Sequence, residues 1–207
     1  MGALDGLLVL DLTTHLSGPF CGIQLADLGA DVIKIESPQG DAMRGAPPFV
    51  EGESAPFMLW NRNKRGLALD LRTAGGRDVL MRLVHKADVF MEAFTPGVID
   101  KLGFGWDVVS QENPRLVYAS ITGYGEEGPW VARPGQDLLA QARSGLMWLT
   151  GDADQGPVPM GLAVGDMLAG AATAQGVLAA LVRRGVTGEG SHVETSLLEA
   201  LVDFQYE

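Results

Sequence analysis

The residue best placed for chemistry is Asp166, which opens the longest helical pattern of the chain, Gly161 to Arg184. As a helix cap, its carboxylate would accept hydrogen bonds from the first free backbone N–H groups and do no chemistry. Alternatively, those N–H groups and the helix dipole would keep the carboxylate ionised at neutral pH, so that it acts as a nucleophile or a base. The local pattern alone favours the cap, because Asp is a preferred capping residue.

The pattern after Asp166 predicts a helix with a definite face and end. Arg183 and Arg184 come just before Gly185, as is typical of a helix C-terminus. The run Leu162 to Val182 approaches the roughly 20 residues of a membrane span, but Asp166 and the many Ala and Gly residues favour a close-packed helix of a soluble protein. The predicted apolar face consists of Met167, Ala171, Ala174, Leu178 and Leu181.

The stretches before this helix alternate between short apolar runs and helical patterns. The helical patterns run from Gly18 to Leu28, from Thr73 to Lys86, briefly after Pro96, and from Trp106 to about Asn113. The apolar runs, each of strand length, are Leu7 to Leu12, Asp31 to Glu36, Leu67 to Leu71, Asp88 to Glu92 and Leu116 to Thr122. This alternation predicts an α/β fold with a doubly wound, Rossmann-like, mostly parallel sheet. Ligands bind such sheets at the carboxyl ends of the strands, so we expect the site in the loops that follow the five runs.

Two further regions complete the prediction. Ser37 to about Pro56 is rich in Gly and Pro and predicts a loop. The second half of the chain is mainly helical, with a helix from Gln136 to Leu149 and the Asp166 helix, followed by a strand and a last helix. That last helical pattern begins at Ser196 and reaches Glu207 without a C-terminal capping residue and without a Gly or Pro that would end it. We therefore expect the chain to be part of a longer protein.

Composition narrows the classes of function. With 207 residues, of which 46% are hydrophobic and 20% charged, the chain can bury a proper core. Its formal charge of −11 argues against nucleic acid or an anionic membrane as a partner, because both require a basic face. A single cysteine, Cys21, excludes an internal disulfide and is expected to be a buried structural thiol. With no charged and apolar leader at its start, the chain is expected to be cytoplasmic.

Two patterns are set aside. Gly123 to Gly128 reads GYGEEG, but a dinucleotide fingerprint needs a helix N-terminus there, and Pro129 and Pro134 interrupt any helix. A glycine-rich turn is the better interpretation.

His15, His85 and His192 are scattered without metal-ligand spacing, so no metal site is predicted.

Six stretches together resemble the family III CoA-transferases, the group that includes formyl-CoA and carnitine CoA-transferases and the related 2-methylacyl-CoA racemases. The first three are LVLDLTTHLSGPFCGIQLADLGADVIKIE from Leu8, NRNKRGLALDLRT from Asn61 and ADVFMEAFTPGVIDKLGFGW from Ala87. The others are RPGQDLLAQARSGLMWLTG from Arg133, GDMLAGAATAQGVLAAL from Gly165 and TGEGSHVETSLLEA from Thr187. The resemblance runs through nearly the whole chain in order.

The resemblance implies that Asp166 is the nucleophile of a CoA transfer from an acyl-CoA to a carboxylic acid, through a covalent aspartyl intermediate. It also implies that coenzyme A and acyl-CoA are substrates, with no permanently bound cofactor. By position, it implies a set of CoA contacts at Leu16, Ser17, Leu69, Asp70, Leu71, Arg72, Phe94 and Lys101. Arg44 and Arg133 are expected as further phosphate partners, and Gln136 completes the predicted cofactor-binding set.

Three departures from the family pattern bear on the substrate. Leu16 stands where formyl transferases carry Gln, which favours an acceptor acid less polar than oxalate. Ala93 replaces an Asn that many members have before the Phe of the fourth-strand motif. Gln136 stands where the racemases have a His and formyl transferases commonly have a Tyr; an amide cannot accept the α proton, which disfavours the racemase alternative.

Length is the larger departure, because family members are about twice as long and form interlocked dimers. The resemblance therefore identifies residues 1–207 as the large CoA-binding α/β domain, the N-terminal half of a family chain. We expect a homodimer for the full-length form. A CoA-binding fragment that requires a partner chain for chemistry remains an alternative to an active transferase.

Overall fold

In the computed structural model, which describes residues 2–206, six parallel strands form one sheet. In chain order the strands are β1 (Leu8–Asp11), β2 (Asp31–Glu36), β3 (Phe49–Val50), β4 (Glu53–Ser54), β5 (Lys64–Ala68), β6 (Val89–Glu92), β7 (Val117–Thr122) and β8 (Ser191–Ser196). The sheet has the order β5-β2-β1-β6-β7-β8, and every pairing in it is parallel. Strands β3 and β4 form a separate antiparallel hairpin. The predicted doubly wound parallel sheet is confirmed.

Within residues 2–206, eight helices accompany the sheet. They are α1 (Ser17–Asp27), α2 (Ala55–Asn61), α3 (Ala74–Val84), α4 (Val98–Leu102), α5 (Trp106–Glu112), α6 (Asp137–Ser144), α7 (Val164–Thr187) and α8 (Leu197–Phe204). Successive strand residues alternate between two cores: Val9 packs with α1, α7 and α8, whereas Leu10 packs with α3, α4 and α5. Cys21 is fully buried in the first core, as predicted.

The sheet has a topological switch point between β1 and β6. From β1 the chain winds outward through β2 to β5, then returns to the other side of β1 and continues through β6 to β8. The loops after β1 and β6 therefore leave the sheet in opposite directions. In open parallel sheets this divergence produces a crevice at the carboxyl edge.

Two buried ion pairs hold the loop that follows β1. Asp11, at the end of β1, lies 2.8 Å from Lys64 of β5, and Lys34 of β2 lies 3.0 Å from Asp41. Lys34 also donates to the Thr13 carbonyl at 2.8 Å. Burial acts to raise the pKa of Asp11, but the two lysines outweigh it and the pKa lies below its usual value. Because both pairs are almost wholly buried, removing one partner would leave an uncompensated charge under the loop.

Small residues bring α7 very close to α1. A Cβ atom on Gly170 would lie 2.4 Å from the Ser17 carbonyl oxygen, so no larger residue fits there without a backbone shift. The buried stripe of α7 is Gly165, Ala169, Gly170, Thr173, Ala174, Val177, Ala180 and Arg184. The predicted face shares Ala174 with it, whereas Met167, Ala171, Leu178 and Leu181 are only half-buried. The predicted face was wrong because it was chosen from the larger apolar residues, whereas the close crossing of α7 with α1 requires small side chains.

Three element boundaries also differ from the prediction. Strand β5 begins at Lys64, three residues before the predicted Leu67, because Lys64 and Arg65 pair with β2 along the sheet edge. The predicted loop ends in the unpredicted helix α2, which Ser54 caps and in which Pro56 occupies the first turn, where a proline is tolerated. The predicted helix Gln136 to Leu149 is divided by Gly145, whose φ of 88° ends α6 before a short 3-10 turn at Leu146–Trp148.

Helix α7 is long and apolar enough to cross a membrane by length and composition. In the structure it packs against α1, α8 and the sheet. It continues past the predicted end at Gly185 to Thr187, and Gly188 caps it with a φ of 80°.

We predict opposite stability changes for two Gly→Ala substitutions in α7. Gly170→Ala forces a backbone shift at the α1 crossing and should destabilise the chain by about 1–3 kcal/mol. Gly185→Ala, where a Cβ meets nothing within 4 Å, should stabilise it by about 0.5–1 kcal/mol. Urea unfolding measures both. Equal effects of the two substitutions would contradict the close crossing.

Candidate active site

A cleft of about 700 Å³ lies at the carboxyl edge of the sheet, at the switch point. The loop after β1 contributes Thr14, His15 and Ser17, and the loop after β6 contributes Ala93 to Pro96. Gln136 and Asp137 at the start of α6 close one side of the cleft, and Asp166 in the first turn of α7 closes another. The cleft is thus where the fold predicts a ligand site, and it contains the candidate nucleophile.

Asp166 is not the cap of its helix, contrary to the favoured local interpretation. Helix α7 begins at Val164, and its capping position is Ala163, which has no side-chain oxygen. The Asp137 carboxylate caps the helix instead: its Oδ1 accepts from the Gly165 N–H at 2.7 Å and from the Asp166 N–H at 3.1 Å. The Asp166 side chain is therefore not needed as a cap and faces the cleft.

Burial and the neighbouring carboxylate of Asp137 both affect the pKa of Asp166. Burial raises the pKa of Asp166 to about 6, and the charge of Asp137 adds to the rise. The Ser17 hydroxyl and the charge of His15 act in the opposite direction. Burial therefore raises the pKa of Asp166, but not enough to keep the carboxylate protonated at neutral pH. An acid with a pKa of about 6 is still about nine-tenths ionised at pH 7.

A second cavity of about 350 Å³ adjoins this cleft. Leu69, Asp70, Leu71 and Arg72, which follow β5, line it together with the ends of β1 and β2. Thr14 and Phe94 line both cavities, so the two spaces meet at these residues. The Phe94 backbone N–H donates to the Glu92 carboxylate at 2.9 Å, which fixes the start of the loop. Five of the predicted CoA contacts therefore line the second cavity.

Arg72 is held at the mouth of the second cavity by its neighbour. Its Nε and Nη2 atoms lie 2.8 and 2.9 Å from the two Asp70 carboxylate oxygens. Hydrogen bonds from Arg72 lower the pKa of Asp70. The guanidinium remains largely exposed and so remains accessible to an anionic group.

The other predicted contacts divide into two groups. Ser17, Arg133 and Gln136 line the main cleft. Leu16, Arg44 and Lys101 line none of the cavities described within residues 2–206. Arg44 instead forms a two-point ion pair with Glu36, at 2.7 and 2.8 Å, and stacks over the Phe57 ring. Leu16 precedes α1, and Lys101 lies exposed in the last turn of α4.

A third cavity, of about 260 Å³, lies behind Phe94 and contains the buried Glu92. Burial raises the pKa of Glu92 to about 7. In its wall His192 accepts or donates a hydrogen bond at 2.9 Å with Ser120, and it lies near Glu126 and Glu194. The ligand atoms of His192, Glu126 and Glu194 lie close enough together to hold a metal ion, and the spacing of the histidines in the sequence did not predict this cluster. His192 pairs with the Glu194 carboxylate at 3.2 Å.

Sequence reasoning missed Asp137 and His15. Asp137 follows Gln136, which marked the start of a helical pattern, so an acidic first-turn residue was visible there. Its contact with another helix, 28 residues away, was not visible. His15 lies in the loop after β1, directly before the predicted contact Leu16, and lines the cleft. Its position in that loop was the only feature of the sequence that could have marked it as a site residue.

We predict that Asp137→Asn lowers the pKa of Asp166. The amide oxygen can still accept from the Gly165 N–H, whereas the negative charge that disfavours ionisation of Asp166 is lost. Carboxyl-carbon NMR titration measures the change. Asp137→Ala is the matched variant, since it also removes the cap and should cost about 1 kcal/mol of stability. An unchanged Asp166 titration in Asp137→Asn would contradict the coupling.

We predict a pH-dependent gain in stability for Asp166→Asn. The folded chain holds the Asp166 proton up to about pH 6, whereas an unfolded Asp releases it near pH 4, so ionisation weakens the fold as the pH rises between these values. The variant lacks this cost and should be more stable by about 1–3 kcal/mol at pH 8, with the difference shrinking toward pH 4. Urea unfolding at both pH values measures it. A difference independent of pH would contradict the raised pKa.

The model of the CoA-transferase family III matches residues 4–207. A succinyl-CoA:mesaconate CoA-transferase of Haloarcula hispanica is 44% identical over 211 residues, which cover 98% of this chain and 53% of that protein. An acetyl-CoA:oxalate CoA-transferase of Acetobacter aceti is 42% identical over 205 residues, with coverage of 98% and 53%. The chain thus spans about half the length of these curated relatives.

A solved structure agrees with the sequence comparisons. A CAIB/BAIF family protein from Brucella suis superposes with a TM-score of 0.96 and 41% identity, over 99% of this chain and 56% of that one. The family match, the relatives and the shared fold lead to one conclusion: the chain belongs to the family III CoA-transferases.

Proposed function

We propose that the protein containing this chain transfers CoA from an acyl-CoA to a carboxylic acid through a covalent intermediate on Asp166. The observation that carries the proposal is the position of Asp166. Its carboxylate lies in a cleft that joins a second cavity at Thr14 and Phe94, and it is mostly ionised at neutral pH. A carboxylate nucleophile needs no separate base when it is already ionised.

The chemistry proceeds in balanced steps. The Asp166 carboxylate attacks the thioester carbonyl of the donor, forms a mixed anhydride and releases CoA thiolate. The thiolate attacks the aspartyl carbonyl, which gives an aspartyl CoA thioester and releases the donor acid. The acceptor carboxylate then displaces the thiolate to form a new anhydride, and the thiolate attacks the acceptor's acyl carbon to give the new acyl-CoA and free Asp166.

The two connected cavities suggest how CoA is seated. The second cavity is largely apolar around Leu69 and Leu71 and has Arg72 at its edge, which suits an adenine and its neighbouring phosphate. Phe94 stands where the chain of CoA would pass toward Asp166. Arg133, in the main cleft, supplies a further positive charge for a phosphate. An acidic chain must supply such charges locally.

The acceptor is proposed to be a short dicarboxylic acid. Both curated relatives are named for dicarboxylic acids, mesaconate in one and oxalate in the other. We also propose that residues 1–207 form the large CoA-binding domain of a cytoplasmic homodimer.

We predict that incubation with succinyl-CoA produces a covalent adduct that maps to Asp166 and is released by hydroxylamine. Intact-protein mass spectrometry followed by peptide mapping detects it. Asp166→Asn should abolish the adduct, because an amide is not a nucleophile under these conditions. Asp107→Asn, which changes an exposed first-turn aspartate of α5, is the matched control and should leave the adduct unchanged.

Two outcomes would overturn the proposal. An adduct of equal yield in Asp166→Asn would place the nucleophile elsewhere. Deuterium incorporation at the α carbon of a 2-methylacyl-CoA without any adduct would show the racemase activity that Gln136 disfavours.

A further inference from the structure

The acceptor site of this cleft has an electrostatic requirement. Asp137 and Asp166 both line the cleft, so a dicarboxylic acid must enter beside two carboxylates. Like charges repel, and the repulsion is strongest where water is excluded. A compensating positive or hydrogen-bond-donating group must therefore face the acceptor.

Several lining residues can donate a hydrogen bond, among them Ser17, Tyr124 and Gln136, but few can carry a positive charge. Of the described residues that line the cleft, those that can carry a positive charge are His15 and Arg133. Arg133 is assigned above to a phosphate of CoA. His15 is exposed, lies in the loop after β1, and is close enough to Asp166 for its charge to favour ionisation of that carboxylate. His15 is thus available to the acceptor.

The backbone at His15 is held in an uncommon conformation. Its φ is 64°, in the left-handed region that residues other than Gly seldom adopt. The buried Lys34–Asp41 pair holds the loop around it, since Lys34 donates to the Thr13 carbonyl at 2.8 Å and Asp41 accepts from the His15 N–H at 3.4 Å. A buried ion pair therefore stabilises a strained loop residue at the edge of the cleft.

We propose that His15 binds the distal carboxylate of a dicarboxylic acceptor while the other carboxylate attacks at Asp166. His15 is thereby a specificity-determining residue, and the inference rests on the function proposed above. His15, Ser17 and Asp166 line the same cleft, and the Cα atoms of His15 and Ser17 are at most about 7 Å apart. A four- or five-carbon dicarboxylic acid holds its two carboxylates further apart than oxalate, whose carboxylates are adjacent, and so can engage two separate residues of the cleft.

The test compares discharge of the Asp166 adduct by glutarate and by butyrate. His15→Asn keeps a residue that tolerates the left-handed conformation but cannot carry a positive charge. It should raise the half-saturating concentration of glutarate about 10- to 100-fold, the usual effect of losing a hydrogen bond to a charged group. The loss with glutarate should exceed any change in adduct formation or in the reaction with butyrate, both of which report only the effect of the His15 charge on Asp166.

A rescue and a control complete the experiment. His15→Arg restores a positive donor, although Arg is less well suited to the left-handed backbone, and should recover part of the affinity for glutarate. His85→Asn changes an exposed histidine at the end of α3 and should have no effect. An equal loss with glutarate and butyrate, or no effect on either, would overturn the proposal.

A binding measurement separates this inference from the proposed function. If the unmodified chain forms no adduct, the proposed function fails its own test, and proton NMR of the His15 ring still tests the inference. The ring signal should shift saturably with glutarate and not with butyrate, while the His85 signal stays in place. A His15 signal that does not respond to glutarate would overturn the assignment.

Discussion

The candidate site depends on one interaction between two carboxylates at the start of α7. Asp137 accepts from the first backbone N–H groups of the helix and so takes the capping role that Asp166 would otherwise fill. Asp166 is thereby left to face the cleft. Burial and the charge of Asp137 together raise the pKa of Asp166 to about 6. At pH 7 the carboxylate is therefore still largely ionised, and its raised pKa makes it a stronger nucleophile than an ordinary aspartate.

The rest of the fold holds that pair against the sheet. The crossing of α7 over α1 at Gly170 sets Asp166 beside Ser17, because one turn of helix separates Gly170 from Asp166. The buried pairs Asp11–Lys64 and Lys34–Asp41 fix the loop after β1 that carries Thr14, His15 and Ser17. The parallel sheet places this loop opposite the one after β6, so that Phe94 stands between the two cavities.

Periodicity and motif order predicted the fold well, and long-range contacts explain where they failed. The parallel sheet and the location of the cleft follow from the alternation of apolar runs and helices, which is a local signal. The start of β5 at Lys64 was missed because a lysine is not expected in a buried strand position. Here its charge is paired with Asp11, which is distant in sequence. The buried face of α7 was misjudged because small residues, not large ones, permit its crossing with α1. Asp137 could not be recognised as a cap from sequence, since the helix it caps lies 28 residues away.

The most direct test of the account follows oxygen atoms through the transfer. In a double displacement on Asp166, the acceptor acid leaves one of its own carboxylate oxygens on the enzyme. In a single turnover with succinyl-CoA and glutarate labelled with oxygen-18 in its carboxylates, the peptide that contains Asp166 should therefore gain about 2 Da. Formation of glutaryl-CoA with no label in that peptide would show that CoA passes without the aspartyl intermediate, and would contradict the central claim.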